Sequence, residues 1–429
     1  MYSPDISFES TASIRSKQEQ KLQETIAYLA AHSPFYREMF STNGIHPDSV
    51  KTLEDLQLLP VTNKEDLQLR NWDFLCVPRH RIAEYMASSG TLGSPVTVAL
   101  TENDLQRLAF NEYCSFVSAG GTKEDTYQLM LTLDRQFMAG IAYYLGIRQL
   151  GAGLVRVGPG APFLHWETIK RVKPTVIVAV PSFLVKLIEY AEAHHINLNE
   201  SGVKTAICIG ESIRHADNSP NKLAQKITEN WNIKLFGTYA STEMQTAFTE
   251  CTEGKGGHLN PGLMILELLD EHNQPVAPGE EGEVTVTTLG VEGMPLLRYK
   301  TGDICRRYDE TCACGRNTPR LSAVIGRKKQ MIKLKGTTLY PPAIYDLLNE
   351  MEEVADYVVE LQSNEWGTDE VLLHLHVHNP AESTANKIKE QLRSRLRVIP
   401  EIVFVSAPEL HRIQFPEGGR KAQKLIDNR

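Results

Sequence analysis

The sequence predicts an α/β protein in two parts: a large N-terminal domain of mixed and parallel sheets with helices, then a small α+β C-terminal domain. Three observations predict it. The chain has 429 residues, more than one hydrophobic core usually serves. Residues 176–209 read as strand, helix, strand. After about residue 256 the pattern turns to hairpins, and then to a strand-and-helix unit of roughly 100 residues, a common domain size.

The elements follow in order. Leu22, Ile26 and Leu29 recur at helical spacing within residues 14–40, and Ser33-Pro34 ends the first stretch. Val176–Val180 is a short β-rich run, a helix starts near Ser182, and Thr205–Ile209 is the second run. Such a βαβ unit implies a parallel sheet. Met264–Leu269 and Glu283–Thr288 flank a turn-rich stretch, His272–Gly282, and read as an antiparallel hairpin. Pro341–Met351 reads as a helix, Val354–Leu361 and Val371–Val377 as strands, and Thr384–Leu396 as a helix with Ser383 as N-cap. Ile402–Val405 reads as a last strand. The domain boundary falls by Gly326–Lys329, giving domains of 1–325 and 326–429.

Composition narrows the function classes. Net charge is −8, with 41 % hydrophobic and 23 % charged residues, which describes a soluble, mildly acidic protein. Nucleic acid is excluded as a general partner, because phosphate backbones need a basic footprint. No apolar run of about 18 residues occurs, so no membrane span is expected. Residues 1–13 are polar and lack a signal-peptide pattern, and a cytoplasmic location is expected. Seven cysteines in so long a chain do not make a disulfide framework.

Five segments carry candidate chemistry. Ser88-Ser-Gly-Thr-Leu-Gly-Ser-Pro95 is a hydroxyl-rich glycine loop that can present N–H and O–H donors to polyphosphate; without a following Gly-Lys-Ser/Thr it is not a Walker loop. Gly237-Thr-Tyr-Ala-Ser-Thr-Glu243 follows an apolar run. It offers an aromatic face for a base at Tyr239 and oxygen ligands for Mg²⁺ at Thr242 and Glu243. Leu297-Arg-Tyr-Lys-Thr-Gly-Asp303 places an aspartate after a glycine turn, where it can accept two ribose hydroxyls. Gly326–Gly336 is a basic stretch, and Gly418–Asp427 carries Lys421 after two glycines. Each segment taken alone also fits a plain turn or a solvated basic face.

Two further clusters stand apart. Cys312-x-Cys314 and Cys251-x₆-His258 make a Cys₃His set, a standard tetrahedral zinc complement, with free buried cysteines as the alternative. His374, His376 and His378 alternate on one strand and read as a solvated sheet face.

In their order, the five segments resemble the signature motifs of the adenylate-forming superfamily, which includes acyl-CoA synthetases. Within it the chain resembles the phenylacetate–CoA ligase family. That resemblance covers essentially the whole chain. It includes Ser33-Pro-Phe-Tyr-Arg-Glu-Met-Phe40, Thr52–Pro60, Thr62-Asn-Lys-Glu-Asp66, Pro174–Ser182 and Gly210-Glu211.

The resemblance implies an ATP-dependent carboxylic acid–CoA ligase that works through an acyl-adenylate, on an aryl or arylacetic acid such as phenylacetate. It assigns ATP or AMP binding to Ser88, Ser89, Gly90, Thr91, Gly93, Gly210, Glu211, Tyr239, Ala240, Ser241, Thr242, Asp303 and Arg327. Catalytic roles fall to Lys421, Glu243 and Thr91, with Glu243 on Mg²⁺. Lys329 takes the hinge position and Gly336 faces the CoA pantetheine arm. Phe137, Met138, Ala240 and Met244 line the acid pocket. Cys251, His258, Cys312 and Cys314 take a structural zinc.

The implied partners are a small carboxylic acid, ATP and CoA, and a homodimer is common in that family. Two positions depart from its pattern: Ser94 stands where a loop lysine is usual, and Lys328-Lys329 where Asp-Asp is usual. A non-CoA acceptor (a carrier thiol or a cofactor hydroxyl) and a non-catalytic nucleotide-binding protein are the alternative readings.

Overall fold

The structure, a computed structural model, describes residues 3–88, 96–334, 337–363, 369–396, 398–415 and 422–429. The chain divides into two compact units, Met1–Val324 and Ile325–Arg429.

The first unit opens with α1 (Thr11–His32), whose buried stripe includes Ile14, Leu22, Ile26 and Leu29. Ser33-Pro34 is the joint to α2 (Pro34–Thr42): the Ser33 hydroxyl accepts from Tyr36 N, and Pro34 sits in the first turn, where a missing N–H removes no helix bond. A short α3 (Lys64–Leu69) follows. It is held by a reciprocal capping box between Asn63 and Asp66. The strands β1 (Ile82–Ala87) and β2 (Thr97–Thr101) pair antiparallel, and α4 (Glu102–Ser118) starts directly after them.

Strands and helices then alternate: β3 (Thr126–Leu129), α5 (Met138–Leu150), β4 (Gly153–Arg156), α6 (Pro162–Val172), β5 (Val176–Ala179), α7 (Pro181–Ala193), β6 (Thr205–Cys208), α8 (Lys222–Asn230) and β7 (Lys234–Ser241). Short strands follow: β8 (Thr246–Glu250), β9 (Gly257–His258), β10 (Met264–Leu269), β11 (Glu281–Thr288), β12 (Tyr299–Tyr308) and β13 (Arg320–Leu321). One long sheet runs β10-β11-β12-β13-β9-β8-β7-β6-β5-β3-β4. From β4 to β7 all pairings are parallel. From β7 to β10 they are antiparallel. Strand β7 is therefore the seam between the two halves.

The sheet explains its own burial. Val176–Ala179 is buried at every position, as a parallel strand covered by helices on both faces must be. Open parallel sheets leave their ligand crevice beyond the strands' carboxyl ends. Here those ends are Ala179, Cys208 and Ser241, next to Ser182, Gly210-Glu211 and Glu243.

Two sequence expectations shift. Gly237–Ser241 lies inside β7 rather than after a strand, because Gly237 pairs with Cys208 and Thr238–Ser241 with Thr246–Thr249. Asp303 lies inside β12 rather than after a turn. Gly302 adopts φ +81° there, and the pairing with β11 slips by two residues between Glu283 and Thr285, a bulge-like irregularity.

Arg107 of α4 ties the unit together. Its side chain is fully buried and donates to Leu289 O at 2.8 Å, Gln245 O at 2.9 Å, Leu263 O at 2.6 Å and Thr246 Oγ1 at 3.2 Å. Three segments far apart in sequence thus converge on one guanidinium.

In the second unit the strands run Glu401–Phe404, Asp369–Val377, Val354–Ser363, Leu425–Asp427. The central pair is antiparallel and both outer pairings are parallel. Ile344, Leu348, Val359, Leu373, Leu375, Ile388 and Leu392 form its core. The second α-helix of this unit begins at Glu382, so Ser383 lies within the helix and does not precede it. Of the alternating histidines, His378 follows the strand and is exposed, while two are partly covered and bonded: His374 Nε2 lies 2.7 Å from Glu360 Oε2 with both side chains about 15 % exposed, and His376 Nδ1 lies 3.2 Å from Val405 O. The cross-strand carboxylate was invisible in the sequence because register is a tertiary property.

Arg107→Met should strand several buried carbonyls, each costing about 1–3 kcal/mol. The expected outcome is a fall of at least about 5 °C in melting temperature. An unchanged melting curve would show that the guanidinium is dispensable.

Candidate functional site

Three loops meet beyond the carboxyl ends of β5, β6 and β7. Gly210 follows β6 with φ +74°, a left-handed conformation that favours glycine. It turns the chain so that Glu211 reaches across to α7. The Glu211 carboxylate accepts from Ser182 N at 2.8 Å and from Ser182 Oγ at 2.9 Å. Val180, the N-cap of α7, offers no side-chain acceptor. Glu211 supplies the missing cap from a different loop and complements the helix dipole.

The seam strand carries the next group. Tyr239 O–H donates to Asp303 Oδ2 at 2.9 Å and lies 3.3 Å from Thr301 Oγ1, while its ring packs on Phe248 with centroids 5.8 Å apart. Desolvation, then the Asp303 carboxylate, hold the phenol well above its ordinary range, so the hydroxyl keeps its proton and donates. Two motifs separated in sequence are thereby joined. At the start of the motif, Gly237 N donates to Glu250 Oε2 at 3.0 Å. Glu250 also accepts from Arg214 Nε at 2.6 Å and Nη2 at 3.1 Å, a forked pair.

Past the end of β7 the chain turns through Thr242–Gln245. The Ser241 hydroxyl accepts from Met244 N at 3.2 Å, and Gln245 sits at φ +52° with its carbonyl on Arg107. This turn presents Glu243, whose carboxylate is 7 % exposed and lies 3.3 Å from Lys64 Nζ. Of the pocket residues read from the sequence, Met138 and Met244 belong to the large core cluster, while Phe137 and Ala240 are exposed.

The Cys₃His set does come together. Cys251 Sγ, Cys312 Sγ, Cys314 Sγ and a His258 ring nitrogen all lie within 4.8 Å of one another. Cys251 and Cys312 sulfurs are 3.7 Å apart, and Cys314 Sγ is 3.4 Å from His258 Nε2. A tetrahedral zinc with ordinary bond lengths needs about 3.8 Å and about 3.5 Å for such pairs. His258 Nδ1 pairs with Thr318 Oγ1 at 2.9 Å, which leaves Nε2 toward the thiols. Burial, then Arg316 and Arg320, lower the imidazole to about 3, so it is neutral and able to ligate.

In the second unit, Arg327 ends a short extended segment and Lys329 sits in the turn Lys328–Gln330. The Arg429 guanidinium donates to Lys329 O at 2.9 Å and Met331 O at 2.8 Å, pinning that turn. Ser88 is buried, and its hydroxyl accepts from Val96 N at 3.0 Å. Ser89, Gly90, Thr91, Gly93, Ser94, Gly336 and Lys421 lie outside the described residues.

Sequence reasoning missed Lys64, Arg107, Arg214 and Glu250. Lys64 falls in the Thr62–Asp66 run that carries part of the family resemblance, but nothing in that run points to Glu243.

Known proteins resemble this chain at both levels. The AMP-binding enzyme family matches residues 15–293. The phenylacetate-coenzyme A ligase of Thermus thermophilus is 29 % identical over 389 residues, covering 89 % of this chain and 85 % of that one. Its Escherichia coli counterpart is 25 % identical over 435 residues, covering 97 % and 95 %. Among solved structures, 2-hydroxyisobutyryl-CoA ligase in complex with 2-HIB-AMP gives a TM-score of 0.86 at 24 % identity, covering 99 % of this chain and 92 % of that one. At that identity the likeness concerns the fold. With the match spanning most of the first unit and well over half of the chain, this protein belongs to the AMP-binding enzyme family, beside the phenylacetate–CoA ligases.

Proposed function

We propose that this chain is an ATP-dependent carboxylic acid–CoA ligase acting through an acyl-adenylate, on an aryl or arylacetic acid. The observation that carries the reading is the Tyr239–Asp303 bond of 2.9 Å. It fixes an aromatic ring beside a carboxylate at the seam of the sheet, with the Glu243 turn directly after it. That set suits a base, a ribose and a metal-bound triphosphate in sequence. The phenylacetate-coenzyme A ligases at 25–29 % identity support the acid class.

In the first half-reaction a carboxylate oxygen of the acid attacks the α-phosphorus. The bond to the bridging oxygen breaks, and pyrophosphate leaves with that electron pair. Tyr239 and Asp303 hold the nucleoside, and Gly210 leaves room for the base edge. Glu243, with Thr91, would hold Mg²⁺, which shields phosphate charge when bound. Lys421 stabilises the charge that develops between carboxylate and α-phosphate. In the second half-reaction the CoA thiolate attacks the acyl carbon and AMP departs; Gly336 keeps the pantetheine path open, and Lys329 is the hinge between half-reactions.

The Cys₃His cluster holds a structural zinc in this reading. It clips the β8–β9 region to the loop before β13, away from the reacting groups.

Three measurements test these statements. ATP–pyrophosphate exchange should appear with aryl or arylacetic acids in a carboxylic-acid panel, and Lys421→Ala should lower it about 10²–10³-fold while sparing thioester formation from supplied acyl-adenylate. Unchanged exchange in that variant removes Lys421 from catalysis. Lys329→Pro should spare only one half-reaction; survival of both refutes the hinge. Protein purified without added metal should contain one zinc per chain, and Cys312→Ser should lose it and melt earlier. A wild-type protein with far less than one zinc per chain counts against the site.

A further inference from the structure

Lys64 has no part in the roles assigned above, yet its position is fixed with care. The Thr62 backbone is bonded on both sides to the strand that leads to Asp303: Thr62 N donates to Arg298 O at 3.0 Å, and Lys300 N donates to Thr62 O at 2.8 Å. The Thr62 hydroxyl, 1 % exposed, adds a bond to Leu297 O at 2.9 Å. Two residues on, the Asn63–Asp66 capping box starts α3 with Lys64 as its first residue. This strap delivers the Lys64 ammonium to Glu243, at 3.3 Å from Oε1, with the lysine side chain about a third exposed and the carboxylate nearly buried.

The ammonium keeps access to solvent while the carboxylate does not, so the lysine can reach a ligand at Glu243 without leaving its partner. The loop 88–95 contains no lysine or arginine. A triphosphate beside Glu243 needs cationic side chains, and that loop offers none.

We propose that Lys64 is a phosphate-binding residue of this site, contacting the β/γ end of the nucleotide while paired with Glu243. The proposal rests on the ligase reading above. Glu243 would hold a magnesium ion that neutralises the β and γ phosphates. An ammonium 3.3 Å from that carboxylate is then placed to meet those phosphates. Its three donors can serve carboxylate and phosphate together.

The test compares ATP with AMP, which lacks the β and γ phosphates. Binding of each nucleotide is measured by calorimetry with Mg²⁺ and no acid, in wild type, K64A, K64Q and K64R, alongside melting curves. K64A and K64Q should weaken ATP binding roughly 10–100-fold, leave AMP binding unchanged, and raise the ATP KM in pyrophosphate exchange. K64R, which keeps the charge, should recover most of the loss. Equal weakening of ATP and AMP, or an unchanged ATP affinity, overturns the proposal and leaves the ligase reading intact. A folded wild type that binds neither nucleotide overturns both.

Discussion

The Arg107 guanidinium is the constraint on which the first unit turns. It is fully buried, and a charge taken out of water must be compensated by well-aligned partners. The chain supplies them from three places: the turn at Gln245–Thr246, Leu263 before β10, and Leu289 after β11. Removing any one of these segments would leave donors unmet. The same bonds hold the Gln245 carbonyl where its residue adopts φ +52°, and so define the turn that presents Glu243. A helix outside the sheet thus positions a carboxylate at the sheet's seam.

The seam itself explains why the candidate site lies where it does. Strand β7 meets a parallel neighbour on one edge and an antiparallel one on the other. The parallel half contributes the loops after its strands, such as those around Gly210 and Ser182, which Glu211 joins. The antiparallel half contributes side chains on adjacent strands, Tyr239 and Asp303 among them. Neither half alone places an aromatic ring, a carboxylate and an anion-friendly helix start side by side. Carboxylates recur as connectors here: Glu211 caps a helix from another loop, Glu250 joins Arg214 to Gly237 N, and Glu243 meets Lys64. Each is tied to a donor, which for the buried Glu243 and Glu250 is how an acid remains tolerable.

Much of the architecture was legible in the residues. Leu22, Ile26 and Leu29 at helical spacing gave α1 its stripe, and Ser33-Pro34 marked its end because serine caps and proline starts a helix. The runs at 176 and 205 became neighbouring parallel strands. Misreadings arose where pairing overrode local propensity. Gly237 and Gly302 look like turn residues, yet cross-strand hydrogen bonds draw both into strands, with Gly302 absorbed as a bulge. His374 and His376 look fully solvated by alternation alone, but each is half-buried and held by a partner from a neighbouring segment.

What the sequence determined by itself was the list of chemical groups and their order along the chain: hydroxyl-rich loop, Tyr239 to Glu243, Asp303, the basic stretch and Lys421, and the four metal-type ligands. Those are properties of residue type and spacing, readable without coordinates. Which of these groups meet was settled by how the strands and helices pack. The Tyr239–Asp303 bond, the closeness of Cys251 and His258 to Cys312 and Cys314, and the Lys64–Glu243 pair all join segments far apart in sequence. The physical reason is that a hydrogen bond or a ligand sphere acts over a few ångströms, and such distances are set by strand register and helix packing rather than by position along the chain.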